Sequence, residues 1–319
     1  MRYHILLLSS TLLASTLFGR WVDKRPELDP RGSDKQLLAL LQERTESETM
    51  RQVREKYLKT VLDFEKQTEM FKAGTVSAKE LDSNESELLD VRYNYISTVG
   101  KYGSCVSKPI ELQEYTGTTP TERWCVAEGA CLIKSHSFFE NAKSWFLKLR
   151  LEKEAGGFAH ILVSRYLDGK KLRDKGWTPS EPLKEFSLFM AVKTYDLFGF
   201  MPAFTYYINN VIDDSQPGKF ALTFNSVEKP ATYQAFAEEI EDKTVAGTVS
   251  RYNQELLNPV WGRWQLIQQS DGKTYVEYET AANFGKYFLD IPMAKEGAKA
   301  ILLSTLIELI EKNAPEAIP

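Results

Sequence analysis

The chain has 319 residues, 43% of them hydrophobic, which is enough to build one large domain or two modest ones and excludes a disordered polypeptide. Its 40 basic and 44 acidic side chains leave a net charge of −4, so it lacks the basic footprint of a nucleic-acid partner.

The first segment, residues 1–19, pairs a single arginine, Arg2, with an uncharged and mostly apolar run from Ile5 to Phe18. Such a run is short for a bilayer span and suits a secretory signal, so we expect an exported protein, periplasmic or secreted. Arg20, Lys24 and Arg25 put more positive charge behind the run than ahead of it, which keeps an uncleaved N-terminal membrane anchor as the alternative.

A helical hairpin is expected over residues 30–105. From Lys35 to Phe71 the apolar residues Met50, Val53, Tyr57, Val61 and Phe64 recur at three- and four-residue intervals, the spacing of one helix face. Gly74 can end that helix, and Ser77 with Glu80 three residues on is a capping box that starts the next. The second helix carries Leu81, Leu88, Tyr95 and Tyr102 at intervals of seven, so its seam can zip onto the first as a short coiled coil. The segment from Met70 to Tyr102 resembles the helix-turn-helix of outer-membrane efflux channels in its Gly, Ser cap and following Leu. The pair can serve as a partner-docking surface or pack on the main domain.

Residues 106–133 read as a mixed, turn-rich connector. Cys105, Cys125 and Cys131 lie close together, and an oxidising compartment would let two of them pair, with the choice of pair left open; buried thiols are the alternative. The final domain then covers residues 134–319. Trp145, Leu147, Leu149 and Leu151 alternate with Lys148, Arg150 and Glu152, which predicts a half-buried strand, and residues 158–169 predict a second one. Residues 182–200 predict a helix and residues 206–213 a short one. Leu197 to Ile208 is uncharged and aromatic, with Gly199 and Pro202 inside it, and suggests a hinged gate or a membrane-touching tip carrying Phe200 and Phe204. Strands are expected at residues 219–230, at 243–253 and in a hairpin about Ser270-Asp271-Gly272. An amphipathic helix from Ala294 closes the pattern, with Ala298, Ile301, Leu302, Leu306, Leu309 and Ile310 on one face.

The order Gly262, Trp264, Asp271-Gly272-Lys273-Thr274, Val276 and Tyr278, followed by Ile291-Pro292 and a long helix, resembles the START-like superfamily, also called SRPBCC or Bet v 1-like. The resemblance implies an α+β helix-grip fold, in which a curved antiparallel sheet wraps on a long C-terminal helix, here preceded by the helical hairpin. It also implies a cavity for a lipid-like hydrophobic ligand between the sheet and that helix. Trp145, His160, Phe200, Phe204, Trp264, Tyr278, Leu302 and Leu306 are the expected lining.

The sequence has no Gly-x-Ser-x-Gly, no His-Glu-x-x-His and no Gly-rich phosphate loop, and calls for no cofactor and no metal. The leading expectation is therefore a non-enzymatic binding or carrier protein. An enzyme of the same fold acting through His160 on a hydrophobic substrate is one alternative. A structural protein that works through its helical hairpin is another.

Overall fold

Three serine or aspartate caps set out the helices of the N-terminal half. In the computed structural model, which describes residues 34–43, 47–115, 122–151, 161–166, 169–174, 176, 178, 186–193, 203–226, 260–282 and 294–314, Asp34 accepts from the Leu37 N–H and starts α1 (Lys35–Gln42). Ser47 accepts from the Met50 N–H and starts α2 (Glu48–Lys72). The single helix expected from Lys35 onward is therefore two, because Ser47 offers a second start. Gly74 turns the chain at φ 74°. The capping box at Ser77 then forms as expected, with the Glu80 N–H donating to Ser77 Oγ and the Ser77 N–H donating back to the Glu80 carboxylate. It opens α3 (Ala78–Tyr102), which pairs with α2 through Tyr57 and Tyr95, stacked at 4.5 Å.

The stretch expected to be a connector supplies three strands, β1 (Cys105–Ser107), β2 (Glu111–Tyr115) and β3 (Glu122–Ile133). Next come α4 (Phe138–Leu151), β4 (Ile161–Tyr166), α5 (Gly169–Asp174), β5 (Phe186–Lys193), β6 (Ala203–Asp213), β7 (Lys219–Ser226), β8 (Val260–Gln268), β9 (Thr274–Ala282) and α6 (Ala294–Asn313). The nine strands among the described residues join one antiparallel sheet in the order β1-β3-β9-β8-β7-β6-β5-β4, with β2 also on β3.

Three local expectations are corrected. The segment around Trp145 is helical, because Phe138, Ala142 and Phe146 form a buried stripe at four-residue spacing that outweighs the short alternation after it. Residues 186–193, expected to be helical, form β5 as a near-continuous apolar run. Residues 206–213 belong to β6, which starts at Ala203, so a hinged helix does not extend past that point. Residues 197–202 and the strand expected at 243–253 lie outside the described residues.

One face of the sheet, here called inner, carries Phe220, Leu222, Trp264, Leu266, Val276, Cys131 and Ile133, which form one core with α4, α6 and the α2–α3 pair. The helix α6 is central to that core. It touches β1, β3 and β9 on one side and α3 and α4 on the other, and every residue from Leu302 to Ile310 is buried. The amphipathic face expected from sequence is thus corrected: the middle of α6 is covered all round, as a helix between two layers must be. Residues 33–319 form one compact unit, and the architecture is the α+β helix-grip arrangement that the sequence led us to expect.

The opposite, outer face is covered in part by α1. Leu37 and Leu41 are buried there with Val106, Ala130, Ile267 and Tyr275. A disulfide between Cys105 and Cys131 ties β1 to β3, and Cys125 is a buried free thiol.

Candidate functional site

The tight turn of the β8–β9 hairpin sets the register of its aromatic residues. Gly272 adopts φ 81° and its N–H donates to the Gln269 carbonyl, while Gln269 N–H donates to that of Lys273. Trp264 then stands opposite Tyr278 on the inner face, and the two rings stack at 4.2 Å with an interplanar angle of 15°. Phe224 of β7 approaches Tyr278 at 6.4 Å between ring centroids. Its ring lies across Gly262, where a Cβ would stand 2.4 Å from Phe224 Cζ and 2.5 Å from the Glu279 carbonyl oxygen. Only glycine permits this overlap.

On the other side of Tyr278 a second glycine sets the distance to α6. A Cβ on Gly129 would meet Leu302 Cδ2 at 3.0 Å, Leu306 Cδ1 at 3.2 Å and the Val106 carbonyl oxygen at 2.9 Å. The helix therefore sits directly on β3 here, and Leu302 and Leu306 are fully buried against it.

The inner face is graded along the strands. Toward the hairpin turn it carries Leu266, Val276, Phe220 and Ile133, packed beneath Phe138 and Phe146, with Phe146 5.6 Å from both Phe220 and Trp264. Beyond the Trp264–Tyr278 stack, in the direction away from the turn, its positions are Gly262, Thr280, Ala127 and Cys125. Large side chains fill one end; at the other the small positions are covered by Phe224, which lies over Gly262, and by Ala298 and Leu302 of α6, which pack with Ala127 and Cys125.

Groups at the small end are held neutral. Burial pushes the Tyr278 phenol up to about 12, a hydrogen bond with Thr280 working against the shift. Burial likewise pushes the Cys125 thiol up to about 11, with the Lys295 charge opposing. Neither ionises near neutral pH, so these two polar groups present dipoles to whatever lies against them, not charges.

The outer face is different in character. Glu277 is buried and bonded to Arg263 at 2.8 Å, to the Tyr275 hydroxyl at 2.7 Å and to the Asp34 N–H at 3.3 Å. Lys108 bridges the Asp34 and Glu128 carboxylates at 2.8 and 2.7 Å. Burial, aided by the neighbouring Glu128, raises Glu279 to about 7, and burial raises Glu128 as well. This network fastens the start of α1 to the sheet. It groups no three ligands in a geometry that would hold a metal among the described residues.

Of the residues expected to line a ligand site, Trp264, Tyr278, Leu302 and Leu306 converge on the inner face between sheet and α6. Trp145 lies on α4 and is half-buried, with its ring edge-on to Phe146 at 5.0 Å. Phe204 belongs to β6, paired with Val192 of β5, and its side chain lies outside the described part, as do His160 and Phe200 entirely. His136 is exposed, its ring set against Gly272 at the hairpin turn. The sequence reading missed Phe224, Phe146 and Gly129. Phe220, Leu222 and Phe224 alternate plainly in β7, and that period-two signal identifies Phe224 as facing the same way as the core.

No family model and no curated protein matches the chain. Among solved structures it is similar to the human StarD13 (DLC2) lipid transfer and protein localization domain, at 8% identity and a TM-score of 0.37, over 64% of this chain and 90% of that one. It is also similar to human STARD10, at 8% identity and a TM-score of 0.30, over 66% and 79%. The fold assignment rests on the strand order and on the position of α6.

Proposed function

We propose that this chain is an exported binding or carrier protein that holds a hydrophobic, lipid-like molecule between the inner face of the sheet and α6. One observation carries the reading. The inner face runs from bulky, fully packed residues to glycine, alanine and threonine positions beyond Trp264 and Tyr278, which Phe224, Ala298 and Leu302 cover. With Trp264 and Tyr278 as an aromatic wall, a ligand would be taken up here by displacing Phe224 or Leu302 from these small positions, between sheet and helix where small-molecule sites form. The neutral Tyr278 and Cys125 suit an uncharged ligand body and supply at most a hydrogen bond.

Export is supported by the apolar N-terminal run and by the Cys105–Cys131 disulfide, since such bonds persist in oxidising compartments. Among the described residues no helix is long and apolar enough to cross a membrane.

The reading is tested by native mass spectrometry of the purified chain before and after exposure to a mixed lipid extract, followed by denaturation and organic extraction. Retained lipid, released on denaturation and at least tenfold reduced in Trp264→Ala, is the expected result. A mass unchanged by the extract would remove the carrier reading. Turnover of an added lipid that disappears in His160→Ala would replace it by the enzyme reading.

A further inference from the structure

Helix α6 lies along α3 at the base of the α2–α3 pair, where α2 reaches it through Tyr57, and the pair is longer than α6. Helix α6 runs antiparallel to α3. A Cβ on Gly100 would stand 2.6 Å from Leu303 Cδ1, and eight residues earlier in α3 Arg92 reaches Glu311, eight residues later in α6, at 3.5 Å. Tyr57 of α2 donates to the same Glu311 carboxylate at 2.8 Å. These contacts fix which side of the pair faces α6. On α3 it is the stripe that follows the seam residues Val91, Tyr95 and Val99 by one position, namely Arg92, Ile96 and Gly100. In an antiparallel helical pair the residues one step past the seam lie on the same side of both helices. On α2 that stripe is Leu58, Leu62, Glu65 and Glu69.

Helix α6 ends at Asn313, level with the last of these contacts, but α2 continues to Lys72. The groove therefore runs on toward Gly74 for about 15 Å, or about ten residues of α2 at 1.5 Å each. Its first part is apolar: Leu62 is 65% exposed and Leu89 56% exposed, with Tyr93 and Leu58 beside them. Its second part is acidic, with exposed Glu65 and Glu69 on α2, Glu69 also bonded to Lys72, and exposed Asp82 and Glu85 on α3. The spacing Asp82, Glu85, Leu89, Tyr93, Ile96, Gly100 makes the docked and exposed parts one continuous stripe of α3.

We infer that this distal groove is a docking site for a basic amphipathic helix of a partner protein, laid end to end with α6. Its apolar side chains pack between Leu62 and Leu89, on the side of the pair where α6 lies along α3 at the base. Its lysines or arginines stand over Glu65, Asp82 and Glu85. The inference is independent of any ligand on the inner face.

The test uses the full chain and three fluorescein-labelled peptides of 14 residues: an amphipathic Leu/Lys helix, a scrambled isomer, and a Leu/Glu version. Fluorescence anisotropy at physiological salt should show the Leu/Lys helix binding at least tenfold tighter than either control. The pair Leu62→Gln with Leu89→Gln should weaken it at least tenfold with an unchanged Tm. Asp82→Lys with Glu85→Lys should do the same. Equal binding of the scrambled isomer, or indifference to both pairs of substitutions, overturns the proposal. So does a dimer in sedimentation that the Leu62→Gln, Leu89→Gln pair dissolves, which would assign the groove to a second copy. Flotation with anionic phosphatidylglycerol vesicles, abolished by the same pair, would assign it to a membrane and overturn the proposal equally.

Discussion

At the scale of single residues, two glycines of the core predict opposite outcomes for the same substitution. In Gly262→Ala the new methyl meets Phe224 and the Glu279 carbonyl oxygen, and the latter is backbone that cannot give way. A loss of about 1–3 kcal/mol in urea unfolding is expected, together with weaker ligand retention as Phe224 is displaced. In Gly100→Ala the only close atom is the far end of the Leu303 side chain. A rotamer change absorbs it, and the loss should stay below about 1 kcal/mol, offset by alanine's better helix propensity. Glu279 gives a prediction in pH. Folding raises its carboxyl from the ordinary value near 4.5 to about 7, so the folded state binds this proton more tightly than the unfolded one. Its contribution is fully present below about pH 4.5 and is lost as pH rises through about 7. Glu279→Gln should therefore be the more stable protein at pH 8, by on the order of 1–2 kcal/mol once partial solvent contact is allowed for, and the difference should shrink toward pH 5. Urea midpoints across that range read it directly.

At the scale of elements, short β1 joins the end of α3 to the sheet, and its grip on β3 is reinforced covalently. Removing the Cys105–Cys131 bond with paired serines should lower stability by about 2–4 kcal/mol, by the loop it closes in the unfolded chain. Tyr57→Phe removes the hydroxyl that donates to Glu311 but keeps the stacked ring, and should cost about 1–2 kcal/mol. Much of this element layout is legible in the sequence where pattern and local chemistry agree. The capping box at Ser77, the Asp-Gly turn, and the opposition of Trp264 to Tyr278 all follow from short spacings. The helix α4 was not legible as such, because Trp145, Leu147, Leu149 and Leu151 alternate over a length too short to separate the two periods. The stripe that decides it lies upstream at Phe138, Ala142 and Phe146. Strand β5 was misread because an interior strand with near-continuous apolar residues has no alternation to show. The role of Gly129 and Gly262 in the site was not legible at all, since each depends on a group that arrives from far along the chain, Leu302 and Leu306 for one and Phe224 for the other.

At the scale of the whole molecule, α6 has no solvent face in its middle, and the α2–α3 pair supplies part of its cover. Replacing residues 48–102 by a short Gly/Ser linker should therefore not yield a smaller soluble binding domain. It should uncover Leu303, Ile307 and Ile310, increase binding of an apolar dye and promote aggregation, as read by light scattering. A soluble, dye-silent product would show that the pair is an appendage. The position of α6 in the chain carries a further consequence, for synthesis. The innermost element follows every strand of the sheet, so a nascent chain can pair β1 through β9 and zip α2 onto α3 while the centre of its core is still inside the ribosome. Until α6 emerges, the two layers lack the helix that packs between them, and their apolar residues are expected to be open to chaperone capture. Closure of this core is expected only once α6 has emerged.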